Sequence, residues 1–122
     1  MVNINLEPGE GGTLEDMISA TDEGVLMSAN RSWSIDDHRL NFQFGCELAR
    51  EIKGGKLGQL YRNPVYTGIT PEFWGSCDLV GGTQSWDMWG WFYCGKGDPM
   101  QIMHVGHGTP PARFKDVQVR SS

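Results

Sequence analysis

The sequence has no apolar run long enough to cross a bilayer: hydrophobic residues make up 39% of its 122 positions and mean hydropathy is −0.40. A helical membrane span is therefore excluded. Positive charge is also scarce, with 10 Lys and Arg against 15 Asp and Glu and a net charge of −5. Nucleic-acid binding needs a basic footprint to neutralise phosphates, so an isoelectric point near 5.0 argues against it. There is no glycine loop ending in Lys-Ser/Thr, no Gly-x-Ser-x-Gly elbow and no His-Glu-x-x-His pair, which removes the commonest phosphate, serine-hydrolase and single-helix zinc signatures. No basic segment leads into an apolar one at the start, so the three cysteines are not read as a secreted disulfide framework, and a reducing cytoplasm is expected. The opening Met-Val-Asn-Ile-Asn resembles text from inside a longer protein, and a fragment is the expectation.

What the chain does have is glycine and proline, together 23 of 122 positions against a usual share of roughly 12%. Turns and short strands follow from that. Thr13, with Asp16 three residues on, has the form of a capping box before Met17 and Ile18 and predicts one short helix. A brief apolar run from Glu23 closes at Asn30; Ser34, Asp36 and Asp37 then read as a turn or irregular strand end. Leu40, Phe42 and Phe44 alternate with Asn41 and Gln43, the clearest strand in the chain. From Gly45 the signals conflict. Leu48 and Ile52 suit a helix ending at Gly54, which local propensity favours slightly, whereas Gly54-Gly55 would equally close a hairpin. A helical turn is expected from Thr70 with Pro71 at its first position, and strands over Met100–Val105 and Arg113–Val119. No repeat or linker divides the chain, and residues 1–122 read as one domain.

Chemistry-bearing residues are few. Cys94 ends an apolar strand and enters Gly95-Lys96-Gly97, where a nearby cation favours the thiolate needed for metal binding or attack. By itself it reads equally as a strand-terminating hydrophobe, the more frequent case. His104 and His107 lie among glycines on a strand pattern, which does not put two imidazoles on one helix face for a shared metal. His104 is expected on a strand face and His107 in the loop that follows, where its ring meets a ligand or simply faces water; the strand pattern over Met100–Val105 ends before it. Cys46 and Cys77 have no partner at ligand spacing. Trp86, Trp89 and Trp91 cluster just before Cys94 and supply either core or a stacking face for a peptide or sugar. Asp36 with Asp37, and Glu72 with Asp78, are candidate acid/base carboxylate pairs, but no spacing marks them as more than turn residues and caps.

Taken in order, Leu6–Ile18, Ser32–Gly45, Glu51–Asp78, Cys94–Pro99 and Val105–Val119 resemble the C-terminal part of the TldD/PmbA metallopeptidases, also called the modulator of DNA gyrase family. The resemblance covers about Leu6 to Val119. It implies a mainly β, antiparallel-sheet or barrel-like C-terminal domain with one or two short helices, which makes a hairpin at Gly54-Gly55 the better reading of that stretch, in a cytoplasmic protease that works as a homodimer or with a sister subunit. In the catalytic branch zinc is held by two His of a His-Glu-x-x-x-His helix and one Cys; Cys94 matches that Cys, which points to the TldD-like branch. The two His and the Glu have no counterpart here, so the chain by itself is expected to be inactive. Lys96, His107, Trp89 and Trp91 are the implied substrate-binding residues by their proximity to Cys94, and a peptide adding as a strand to a sheet edge is the implied ligand. A non-catalytic peptide- or subunit-binding domain is the alternative, and a sugar-binding module on the Trp cluster a more distant one.

Overall fold

The computed structural model describes residues 2–121. Glycines and an Asn-Pro step cut the chain into short strands, and hydrogen bonding pairs them antiparallel throughout; strand takes 57% of the chain and helix 12%. The first helix, α1 (Leu14–Ser19), begins as read: Thr13 accepts from the Asp16 amide while the Asp16 carboxylate accepts from the Thr13 amide, closing the capping box. The strands β1 (Glu23–Ile35) and β2 (Asn41–Lys53) form a long hairpin. β1 runs on past Asn30, and the turn sits instead at Asp36. Its carboxylate accepts from the amides of Leu40 (2.8 Å) and Asn41 (3.0 Å) and from the Asn41 side chain (2.7 Å).

The slight local preference for a helix from Gly45 to Gly54 gives way to the hairpin that the resemblance favours. β2 continues straight through it, and Gly54-Gly55, both at positive φ, turn the chain into β3 (Lys56–Arg62). Two register irregularities interrupt the two-residue alternation, between Asn30 and Ser32 on the β1 side and between Arg50 and Ile52 on the β3 side. In this stretch of β2 the buried apolar side chains are Cys46, Ala49 and Ile52. That spacing of three imitates a helix face, although β2 is a strand with neighbours on both edges.

After Asn63, held at φ 51°, β4 (Pro64–Ile69) takes over from β3 on the same edge of β2. β9 (Gln118–Ser121) pairs on β4, giving the order β1-β2-β4-β9, with β3 on β2. α2 (Thr70–Gly75) begins at Thr70 with Pro71 in its first turn, as expected. β5 (Cys77–Val80) pairs with β8 (Ala112–Phe114), and β6 (Asp87–Lys96) with β7 (Gln101–Thr109). The single strand expected over Arg113–Val119 is thus two strands in different sheets, split at Asp116 (φ 54°). Among the described residues the sheets do not close into a barrel.

The aromatic core lies between the main sheet, α2 and β8. Phe73 stacks on Phe114 (3.9 Å between centroids) and meets Phe42 and Tyr66 edge-on or stacked; Phe42 in turn stacks on Phe44. Burial here lifts the Tyr66 phenol to about 12, the neighbouring Cys46 adding to the effect. This cluster joins the sheet to the β5–β8 ribbon. A second ribbon, β6–β7, extends from it with Met88, Trp89, Trp91, Phe92, Tyr93, Ile102 and Met103 exposed.

Candidate functional site

Every residue singled out around Cys94 lies on the β6–β7 ribbon, and its register decides which of them share a face. Trp89 is opposite His107, Trp91 opposite Val105, Cys94 opposite Met103 and Lys96 opposite Gln101. Directly opposed residues present their side chains on the same side of an antiparallel pair. β7 alternates without interruption from Gln101 to Thr109, so Trp89, Trp91, Cys94, Lys96 and His107 all occupy one face.

Simple alternation along β6 would have separated them, because Cys94 is an odd number of residues from Trp91. The register shift between Trp91 and Cys94 inserts one extra residue and returns Cys94 to the tryptophan face. Phe92, within the shift, meets His104 edge-on at 5.4 Å. The Trp cluster does not fill the core: Trp89 and Trp91 are both about half exposed, and Trp91 meets Trp33 of β1 edge-on at 6.2 Å. Cys94 is half-buried and a free thiol.

His107 stands four residues along β7 from Met103, the partner of Cys94, or about 13 Å at strand spacing. Its Nδ1 is within 3.3 Å of the Ile4 amide and 3.0 Å of the Ile4 carbonyl. The imidazole is thus tied to the N-terminal segment, which follows the outer edge of β7. Asn3 and Asn5 accept from the Gly106 and Gly108 amides through their side chains, the Leu6 amide donates to the Gly108 carbonyl, and Trp86 donates its indole N–H to the Leu6 carbonyl. Lys96, by contrast, lies two residues from Cys94 on the same face.

Among the described residues no group of three or more His, Cys, Asp or Glu is gathered to hold a metal. Cys94 offers one soft donor, and its facing neighbour Met103 offers only a weak thioether. A tetrahedral zinc site with an open position needs three protein ligands. The residues gathered here offer one such donor atom, so they do not make a zinc site unaided.

A second concavity of about 930 Å³ opens between α1, β1 and β8, lined by Met17, Val25, Met27, Tyr66, Phe73 and Arg113. Sequence reasoning missed its organising group. The Arg113 guanidinium grips both oxygens of Asp78 (2.8 and 3.0 Å) and donates to the Ala20 carbonyl and the Thr21 hydroxyl, pinning the end of α1 to the β5–β8 ribbon. That bidentate contact holds the Asp78 carboxyl below its ordinary range and raises Arg113. Asp78 is an ion-pair residue, therefore, and not one half of an acid/base pair with Glu72. Only the opposite charges on residues 35 apart hinted at it.

Among the described residues no helix is long and apolar enough to cross a membrane. A search of curated proteins returned no match. The profile of the PmbA/TldA metallopeptidase C-terminal domain, however, matches residues 1–121, the whole described length. A match over that length shows the family: the chain belongs to the PmbA/TldD metallopeptidases, as a C-terminal domain of them.

Proposed function

We infer that this chain is the cysteine-supplying part of a zinc-dependent peptidase of the TldD-like branch, acting on short or unfolded peptides in the cytoplasm. One observation carries the reading. The register shift in β6 brings Cys94 onto the same face as Trp89, Trp91 and Lys96, so a half-buried thiol, a cation and two exposed indoles border one surface. When bound, zinc would lower the pKa of its water towards neutrality and polarise a peptide carbonyl. Cys94 would be one ligand, and the remaining donors come from outside these 122 residues.

The chain's own contribution is binding and orientation. Lys96 places a positive charge on the same face as the thiol, two residues along β6. The two indoles offer broad apolar contact to peptide side chains of many kinds. Among the described residues the outer edge of β1 is unpaired by another strand, and β1 carries Trp33, which touches Trp91. A peptide adding along that edge would gain main-chain hydrogen bonds without regard to sequence while its side chains reach the Trp face.

Zinc content tests the assignment. In an intact enzyme carrying this domain, Cys94→Ala should drop bound zinc well below one per chain and abolish peptide cleavage, while the isolated 122-residue chain should hold little zinc. Full zinc occupancy in the variant would instead leave a non-catalytic peptide-binding domain. Trp89→Ala and Trp91→Ala should each weaken peptide binding by about 1–2 kcal/mol with thermal stability unchanged. Lost stability with unchanged binding would make the indoles packing residues.

A further inference from the structure

The concavity between α1, β1 and β8 differs from the Cys94 face in being walled by three elements and lined mostly by hydrocarbon. Its volume of about 930 Å³ lies within the roughly 300–1,000 Å³ typical of small-molecule sites. Met17 of α1 and Cys46 and Ile52 of β2 line it at 5%, 7% and 6% exposure. Leu26 of β1, Phe73 of α2 and Phe114 of β8 extend the apolar lining. Arg113 ties the end of α1 to β8, so the walls are already in place and binding would cost little ordering.

Two polar groups interrupt that lining, the Tyr66 phenol and the Cys46 thiol. Phe73, stacked at 6.1 Å, and Phe44, edge-on at 5.7 Å, hold the Tyr66 ring. Among the described residues no side-chain nitrogen or oxygen is both buried and without a partner. The Tyr66 hydroxyl donates to none of them, so it opens onto the concavity that it lines. Burial keeps both groups uncharged, lifting the phenol to about 12 and raising the thiol. The interior therefore offers a hydrogen-bond donor and no charge.

The rim decides the charge of what enters. Asp22, Glu23, Asp78 and Asp116 stand there against Arg113 and Lys115. Both cations are turned to Asp78, Arg113 through its bidentate contact and Lys115 at 4.0 Å. An anionic ligand thus finds no unengaged cation and meets an excess of negative charge. We propose that this concavity binds a neutral, largely apolar small molecule whose carbonyl oxygen accepts from the Tyr66 hydroxyl, with its hydrocarbon against Met17, Leu26, Ile52 and Phe114.

The site lies apart from the Cys94 face and does not rest on the peptidase reading. Prodan, a neutral naphthalene ketone whose emission shifts to the blue in apolar surroundings, is a suitable probe for the 122-residue chain. It should bind at one site per chain, and its analogue with a carboxylate in place of the ketone should bind at least about tenfold more weakly. Tyr66→Phe keeps the ring and removes the donor, and should weaken prodan about tenfold with the melting temperature unchanged. Ser28→Trp, at an exposed position on the β1 wall, places an indole in the space and should also weaken binding. Cys94→Ala and the pair Trp89→Ala, Trp91→Ala should leave prodan affinity as it was, which separates this site from the zinc and peptide assignments. Absence of binding, an affinity indifferent to both Tyr66→Phe and Ser28→Trp, or a preference for the carboxylate analogue overturns the proposal. So does loss of binding in the double tryptophan variant or displacement by an unstructured peptide, either of which would assign the probe to the peptide-binding surface.

Discussion

At Gly108 a single methyl group has no room. A Cβ there would fall 1.9 Å from the Trp86 ring, and the same residue anchors Leu6 and Asn5 of the N-terminal segment. Gly108→Ala should cost about 2 kcal/mol through overpacking and loosen the segment together with the indole. Chemical denaturation and the Trp86 emission would report both; an unaltered midpoint would mean that the ring simply swings aside. Asp36 gives a residue-level pH dependence. Hydrogen bonds from the Asn41 side chain, and then from the Asn41 and Leu40 amides, lower its carboxyl from 3.8 to about 2. A depressed folded value means that the stabilisation is present above 3.8 and is lost as pH falls towards 2. Thermal melts between pH 4 and 2 should therefore fall less steeply for Asp36→Asn than for the parent. The Thr13–Asp16 box and the Asp36 turn were legible in the sequence because their partners lie within five residues. The Arg113–Asp78 grip was not, because only folding brings β8 against β5.

Among the elements, the β2–β3 hairpin shows how local and tertiary forces divide. Gly54 and Gly55 have φ of 59° and 74°, but a Cβ meets nothing within 4 Å at Gly54 and the Ser19 carbonyl at 2.8 Å at Gly55. Gly54→Ala should cost about 1 kcal/mol of backbone strain alone. Gly55→Ala adds a collision with the end of α1 and should cost clearly more; equal losses in denaturant titrations would mean that α1 yields. The glycine pair made a hairpin readable, while the choice between hairpin and helix for the preceding stretch was not. Leu48 and Ile52 carry a helix-like spacing, and β1, β3 and β4 bonding along both edges of β2 outweighs the small difference in local propensity. Likewise the alternation along β6 would have parted Cys94 from Trp89 and Trp91, and only a register shift, invisible in residue order, reunites them.

For the molecule as a whole, its exposed apolar surface has a thermodynamic consequence. Few side chains are fully buried, and apolar residues line both the β6–β7 ribbon and the α1–β1 concavity. At low concentration the chain should bind an apolar dye such as ANS and unfold over a broad range of denaturant. A sharp transition without dye binding at high dilution would show that the exposed face is stable unassisted. Composition and local pattern alone established a turn-rich β chain, its two short helices, its acidic charge and the motif order that places it in its family, because each depends on backbone geometry or on residues close in sequence. Which residues share the Cys94 face, where Arg113 anchors α1 and which edge is left open were decided by pairing register and long-range packing, since hydrogen-bonded strands choose their partners by the total contact they form and not by any signal carried within one segment.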